Sequence, residues 1–107
     1  SNRQMAVLSL VPEVDKVLVV GDPESANSCR LRDIALKLGK PSYLIQDASR
    51  IDKAWLCGDD TILLTSGASA PDHLIREVIE FLKQHFGSTM EERSLVEEDV
   101  HFQLPPI

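Results

Sequence analysis

Two rhythms run through the hydrophobic positions of this chain. Short unbroken apolar runs, Val17-Leu18-Val19-Val20 above all, suit strands buried on both faces of a parallel sheet. Between them, apolar residues recur at helical spacing. Leu31, Ile34, Ala35 and Leu38 fall at i, i+3, i+4 and i+7, and predict a helix over 28–38 that Gly39 and Pro41 stop. A longer stripe of Leu74, Ile75, Val78, Ile79 and Leu82 predicts a helix from Pro71 to about residue 86, ended by Gly87. Residues 3–11 read as a helix that halts at Pro12, with Asn2 as its N-cap. Further strands are predicted over 42–45 and 61–65. Between them, Asp47 to Ser49 turn the chain, and residues 51–56 form a short helix or helical turn capped by Asp52 or Ser49.

The pattern weakens after residue 87. Residues 88–99, with Glu91, Glu92, Glu97, Glu98 and Asp99, read as a polar, acidic connector. Val100-His101-Phe102-Gln103-Leu104 then alternates apolar and polar, which predicts a last strand at an edge before Pro105-Pro106-Ile107 leaves the sheet. The division is therefore an α/β unit over 1–87 and a connector with terminal strand and tail over 88–107. Strands alternating with helices predict a small three-layer α/β domain. Its sheet is mostly parallel, has about four strands and uses right-handed crossovers.

That topology gives two loops a meaning. Gly21-Asp22-Pro23-Glu24-Ser25-Ala26-Asn27 follows one apolar run, and Ser66-Gly67-Ala68-Ser69-Ala70-Pro71 follows another. Each leads into a predicted helix, so both lie at the carboxyl ends of strands, where ligands of such sheets gather. A strand, a turn of Gly, Ser and Asn, and a helix start present free N–H groups, short polar side chains and the positive end of a helix dipole. Two such loops at one sheet edge suit a diphosphate. The same residues also suit plain capping. Asn27 or Ser28 can accept a helix N–H, Ser69 can be an N-cap or the residue before one, and Gly67 can supply a positive-φ turn. The second loop is neither a Walker A sequence nor a dinucleotide fingerprint.

Composition narrows the class. A chain of 107 residues, 43% hydrophobic and 26% charged, has enough apolar material for one core. No apolar run approaches the roughly 20 residues of a membrane span, and the opening segment has no secretory leader pattern. The expected setting is cytoplasmic. A net charge of -6 argues against nucleic acid as a partner and against long-range attraction of an anion. Local backbone dipoles, or another part of a larger protein, must supply the positive potential. Cys29 and Cys57 lack metal-type spacing and read as free thiols. His73, His85 and His101 form no ligand set and are expected at the surface. Asp59-Asp60 and Glu97-Glu98-Asp99 read as solvated turns. With no nucleophile–base or acid–base pair in a suitable local setting, the residues describe a binding domain and not a complete enzyme.

The order of motifs also carries a resemblance. Asn2-Arg3-Gln4, Ser25-x-Asn27-Ser28-x-Arg30-Leu31, Tyr43-Leu44-Ile45 with Asp47, Trp55, Gly67-Ala68-Ser69-Ala70-Pro71 and Val100-x-Phe102-x-Leu104-Pro105 span essentially the whole chain. Together they resemble the C-terminal third of the LytB family, the 4-hydroxy-3-methylbut-2-enyl diphosphate reductases. The resemblance implies one of three similar α/β units around a central [4Fe-4S] cluster. It implies reductive removal of an allylic hydroxyl, which yields isopentenyl and dimethylallyl diphosphate in the methylerythritol phosphate route. It also implies an electron donor such as ferredoxin or flavodoxin, and partnership with the remaining units of the enzyme. Carried over by motif, the substrate-binding residues are Ser25, Asn27 and Ser69. Ala26 stands where the family usually has a second serine and keeps only its backbone N–H for the ligand. Cys29 stands where a polar residue is common. The family's three cluster cysteines, catalytic glutamate, substrate-contacting histidines and threonine pair have no counterparts here. The expectation is a fragment, inactive alone, with a non-catalytic binding or regulatory module as the alternative.

Overall fold

The computed structural model describes residues 2–56, 60–67, 70–86, 89–92 and 100–103. Along the chain it runs through α1 (Asn2–Leu10), a 3-10 turn (Val11–Glu13), β1 (Lys16–Val20), α2 (Ala26–Lys37) and β2 (Ser42–Ile45). Two further 3-10 turns (Ala48–Arg50 and Lys53–Trp55) lead to β3 (Thr61–Ser66), α3 (Asp72–Phe86), β4 (Thr89–Glu92) and β5 (Val100–Gln103). The sheet order is β2-β1-β3-β5-β4. β1 pairs in parallel with both β2 and β3, and its last two residues Val19 and Val20 lie opposite Thr65 and Ser66. β5 runs antiparallel to β3, and β4 antiparallel to β5.

Each face of the sheet has its own apolar layer, set by the period-2 alternation of the strands. Val17, Val19 and Leu63 meet Val7, Leu10 and Val11 of the N-terminal segment and Leu31 and Ala35 of α2. Leu18, Val20, Ile62 and Leu64 point the other way, onto Ile75, Val78 and Leu82 of α3 and onto Ile51 and Leu56. This is the three-layer α/β arrangement, and it explains why the strand runs are apolar at every position. At the amino ends of the strands, the Lys16 ammonium lies 2.6 Å from the Asp60 carboxylate. The Asp15 carboxylate accepts the Thr61 N–H at 2.8 Å, while the Asp15 N–H donates to the Thr61 carbonyl. These contacts fix the bottom of the β1–β3 pair and leave its carboxyl ends to the loops.

Several expectations are corrected in detail. Among the described residues the sheet has five strands where about four were expected, because Thr89–Glu92 in the expected connector forms β4. β5 consequently lies inside the sheet, and β4 and β2 are its edges. Asn2 is already helical instead of capping α1. α2 starts two residues earlier than the spacing suggests and ends at Lys37, which leaves Leu38 as a C-cap residue, 45% exposed, outside the buried stripe. Gly39 then takes φ of 83°, the left-handed conformation that closes a helix. The segment after β2 turns as expected at Asp47 to Ser49, and the expected helical turn over 51–56 is the 3-10 turn Lys53–Trp55 with Asp52 as its cap; Asp47 and Asp52 accept the N–H groups of Ser49 and Ala54. Tyr43 and Trp55 stack across this corner with ring centroids 4.1 Å apart. His73 and His85 lie exposed on α3. Cys57, Asp59, Ser69, Gly87, Glu97, Glu98, Asp99, Leu104, Pro105, Pro106 and Ile107 lie outside the described residues.

The Asp47 cap is titratable. Hydrogen bonds from the Ser49 hydroxyl and N–H, with a smaller contribution from the Arg50 charge, hold its carboxyl below the ordinary value. A depressed folded pKa means that the carboxylate favours the folded turn above the ordinary range, and that this contribution is lost as pH falls through the folded value. Carbon-detected titration of Asp47 should therefore show a midpoint below 3.8. The Ser49 amide should lose exchange protection along the same curve, and a midpoint at or above that value would remove the cap from the account.

Candidate functional site

The strand order places a topological switch point between β1 and β3. The chain leaves β1 for α2 on one face of the sheet, and leaves β3 for α3 on the other. Adjacent loops that diverge in this way open a crevice at the carboxyl edge of the sheet. A cleft of about 230 Å³ lies there, lined by Val20, Gly21, Asp22, Gln46, Ala70, Pro71 and Leu74.

The first loop is built around the start of α2. Ser25 is the N-cap, in extended conformation, and its hydroxyl oxygen accepts the Ser28 N–H at 3.4 Å. The expected cap, Asn27 or Ser28, is thus displaced to Ser25, because the helix begins at Ala26. Ser25 keeps its own hydroxyl proton for another partner, since capping uses only a lone pair. Ala26 and Asn27 are the first two helical residues, both exposed. Their N–H groups lie ahead of the first intrahelical bond, which Cys29 makes to the Ser25 carbonyl at 3.1 Å. The loop before them is braced by the Asp22 carboxylate, which accepts the Glu24 N–H at 2.8 Å, and by the Cys29 thiol, which donates to the Pro23 carbonyl at 3.2 Å.

The second loop closes on itself through the Ala70 N–H, which donates to the Gly67 carbonyl at 3.0 Å. Pro71 accepts the first N–H groups of α3, from Leu74 and Ile75. The two loops begin from matched ladder rungs. The Gly21 N–H donates to the Ile45 carbonyl at 2.9 Å, and the Gly67 N–H donates to the Val20 carbonyl at 3.0 Å. Among the described glycines only Gly39 has positive φ, so Gly67 does not serve a positive-φ turn. Both loop glycines are needed for space, because a Cβ on either would fall onto the Ser28 side chain. Ser28 sits at the top of the buried α2 stripe, three residues before Leu31 and seven before Ala35. A serine on a core-facing position, opposite two glycines, is the signal that sequence reading passed over.

The structure therefore sets Ser25, Ala26 and Asn27 at the start of α2, next to Ser28, whose side chain occupies the space beside Gly21 and Gly67; none of the three is among the residues that line the cleft of about 230 Å³. Local charge does not favour anions: Asp22 and Glu24 stand exposed beside the helix start. The features of this helix start that suit an anion are its N–H groups ahead of the first intrahelical bond and the helix dipole. Among the described residues no group of three His, Cys, Asp or Glu side chains could hold a metal ion, and no helix is long and apolar enough to cross a membrane.

Parallel strands flanked by helices, with two glycine-bounded loops at a switch point, define a small three-layer α/β domain. The sequence model of the LytB protein family matches residues 1–83, and the chain belongs to that family. It is 50% identical over 105 residues to the 4-hydroxy-3-methylbut-2-enyl diphosphate reductase of Idiomarina loihiensis, a match covering 98% of this chain and 33% of that protein. The reductase of Zymomonas mobilis matches at 50% over 105 residues, with 98% and 31% covered. Among solved structures, the E-1-hydroxy-2-methyl-but-2-enyl-4-diphosphate reductase of Plasmodium falciparum superposes with a TM-score of 0.74 at 28% identity, covering 77% of this chain and 26% of that one. A structure of (E)-4-hydroxy-3-methyl-but-2-enyl diphosphate reductase, the terminal enzyme of the non-mevalonate pathway, gives 0.72 at 33% identity, with 77% and 29% covered. The chain spans about a third of the length of the curated relatives it matches.

Proposed function

We propose that this chain is the diphosphate-holding unit of a LytB-type reductase, a cytoplasmic enzyme that reductively removes the allylic hydroxyl of 4-hydroxy-3-methylbut-2-enyl diphosphate. The observation that carries the reading is the first turn of α2, set at the switch point of a chain that belongs to this family. There the Ser25 hydroxyl, the N–H groups of Ala26 and Asn27 and the Asn27 amide are arranged around one helix N-terminus. In this reading the Ser25 hydroxyl and Asn27 amide donate to phosphate oxygens, and Ser69 adds a hydroxyl from the second loop. The dipole of α2 offsets part of the diphosphate charge. A protein of net charge -6 holds such a ligand through fixed short-range donors, which distinguish a phosphate by geometry.

The iron–sulfur cluster of the family does not fit the residues of this chain. Fe–S clusters are held by several cysteine thiolates, whereas this sequence has two cysteines. One of them, Cys29, donates its S–H to the Pro23 carbonyl inside the first loop. Cluster ligation, proton donation and docking of an electron donor such as ferredoxin or flavodoxin fall to the other units of the enzyme, and this chain's share is to anchor the substrate.

Titration of the intact protein with inorganic diphosphate, followed by calorimetry, tests the reading. Loss of a hydrogen bond to a charged group costs about 1.5–3 kcal/mol. Asn27→Ala should therefore weaken binding by roughly ten- to a hundredfold. Equal affinity in the two proteins would sink the proposal.

A further inference from the structure

Ser28 is fully buried, and its hydroxyl has no hydrogen-bond partner among the described residues. Leaving a buried hydroxyl unpaired carries a cost, so its presence requires an explanation. Its neighbours supply one. A Cβ built on Gly21 would lie 2.1 Å from the Ser28 oxygen and 2.7 Å from its Cβ. A Cβ built on Gly67 would lie 2.2 Å from the same oxygen and 3.4 Å from that Cβ. One oxygen atom thus fills the space that two glycines leave open, at the point where β1 and β3 end and their loops part. The backbone of the same residue donates its N–H to Ser25.

We infer that Ser28 is a positioning residue: its buried hydroxyl is the spacer that sets the distance between the β1–α2 and β3–α3 loops. Through its N–H the residue orients the Ser25 cap, and through its oxygen it keeps the ends of β1 and β3 at a fixed separation from that cap. Its bulk is the functional property, which is why the hydroxyl is tolerated without a partner. A smaller residue lets the loops shift and spreads the donors, while added bulk on either glycine pushes α2 away from the sheet. The consequence for ligand rests on the diphosphate reading above, whereas the packing does not.

A mutant cycle separates the two. In the intact protein, Ser28→Ala should weaken inorganic diphosphate three- to tenfold. Gly67→Ala should lower both the thermal midpoint and the affinity. Adding Ser28→Ala to Gly67→Ala should restore most of the midpoint, because the remaining 3.4 Å approach is relieved by a shift of a few tenths of an ångström. The same addition should not restore Gly21→Ala, where 2.7 Å between carbons remains. Rescue of both glycine variants alike, of neither, or a Gly67→Ala protein as stable as the parent would overturn the spacer. If Gly21→Ala does not fold, the Ser28 and Gly67 arms still decide. An Asn27→Ala control distinguishes the failures. If it binds normally, the diphosphate reading falls while the midpoints still judge the spacer. If it binds weakly and Ser28→Ala binds normally, the positioning role alone falls.

Discussion

Leu64→Ala is expected to destabilise this chain by about 3–4 kcal/mol, the range for emptying a fully buried leucine site that collapses only in part. Leu64 is fully buried at the centre of β3. It lies opposite Leu18 on one side and Val100 on the other, so the strand cannot shift sideways to refill the space. The side chain belongs to the layer formed with Ile75, Val78 and Leu82, whose helix would have to move toward the sheet as a body. For a domain of this size, each kcal/mol moves the thermal midpoint by roughly 4–8 °C. The midpoint should fall by about 15–25 °C, with an unchanged urea m-value, since the native surface is hardly altered. A loss below about 1 kcal/mol would mean that the α3 layer closes over the gap, contrary to the packing of a rigid interior.

The same layer shows why so much of this fold is legible in the sequence. Val17 to Val20 alternate between two apolar layers, and a run that is apolar at every position has few other homes than a strand covered on both faces. The α3 stripe is equally direct: Ile75, Val78 and Leu82 are buried at the predicted spacing, with Leu74 and Ile79 packed beside them. What escaped depends on partners distant in sequence. Thr89-Met90-Glu91-Glu92 has no periodicity of its own and becomes a strand by pairing with Val100–Gln103, which then lies in the sheet interior. Leu38 has the right spacing for the α2 stripe, yet the helix stops one residue short of it and turns at Gly39. Backbone closure there outweighs burial of one side chain.

The site divides in the same manner. That two small-residue loops sit at carboxyl strand ends follows from the strand–helix alternation, and Ser25, Ala26 and Asn27 take their places in the first of them. The identity of the cap does not follow, because Ser25, Asn27 and Ser28 are all competent caps and the choice depends on where the chain leaves β1. Ser28 escaped for a related reason. A hydroxyl beside a helix start reads as a cap, and only the three-dimensional approach of Gly21 and Gly67 shows that it serves as packing. Glycines in loops invite a conformational explanation, but here neither has the backbone angles that would demand one.

Ala26→Asp should separate stability from binding by moving them in opposite directions. Ala26 is the first residue of α2 and is exposed, so a carboxylate there displaces nothing. An acidic side chain in a first helical turn interacts favourably with the helix dipole, by about 0.3–1 kcal/mol. The thermal midpoint should hold or rise slightly. An anion at the same N-terminus meets the reverse situation, because the new charge occupies the potential that would attract it. Two unit charges about 4 Å apart repel by roughly 4 kcal/mol at the effective dielectric of a protein surface. Affinity for inorganic diphosphate should accordingly fall by about a hundredfold or more, with the loss shrinking at high salt. Ala26→Ser is the counterpart. It adds a hydroxyl donor without charge and should tighten binding by roughly threefold to tenfold, the yield of one net hydrogen bond. A protein in which Ala26→Asp binds diphosphate within threefold of the parent cannot be holding the anion at the start of α2, however well the loops are placed to do so.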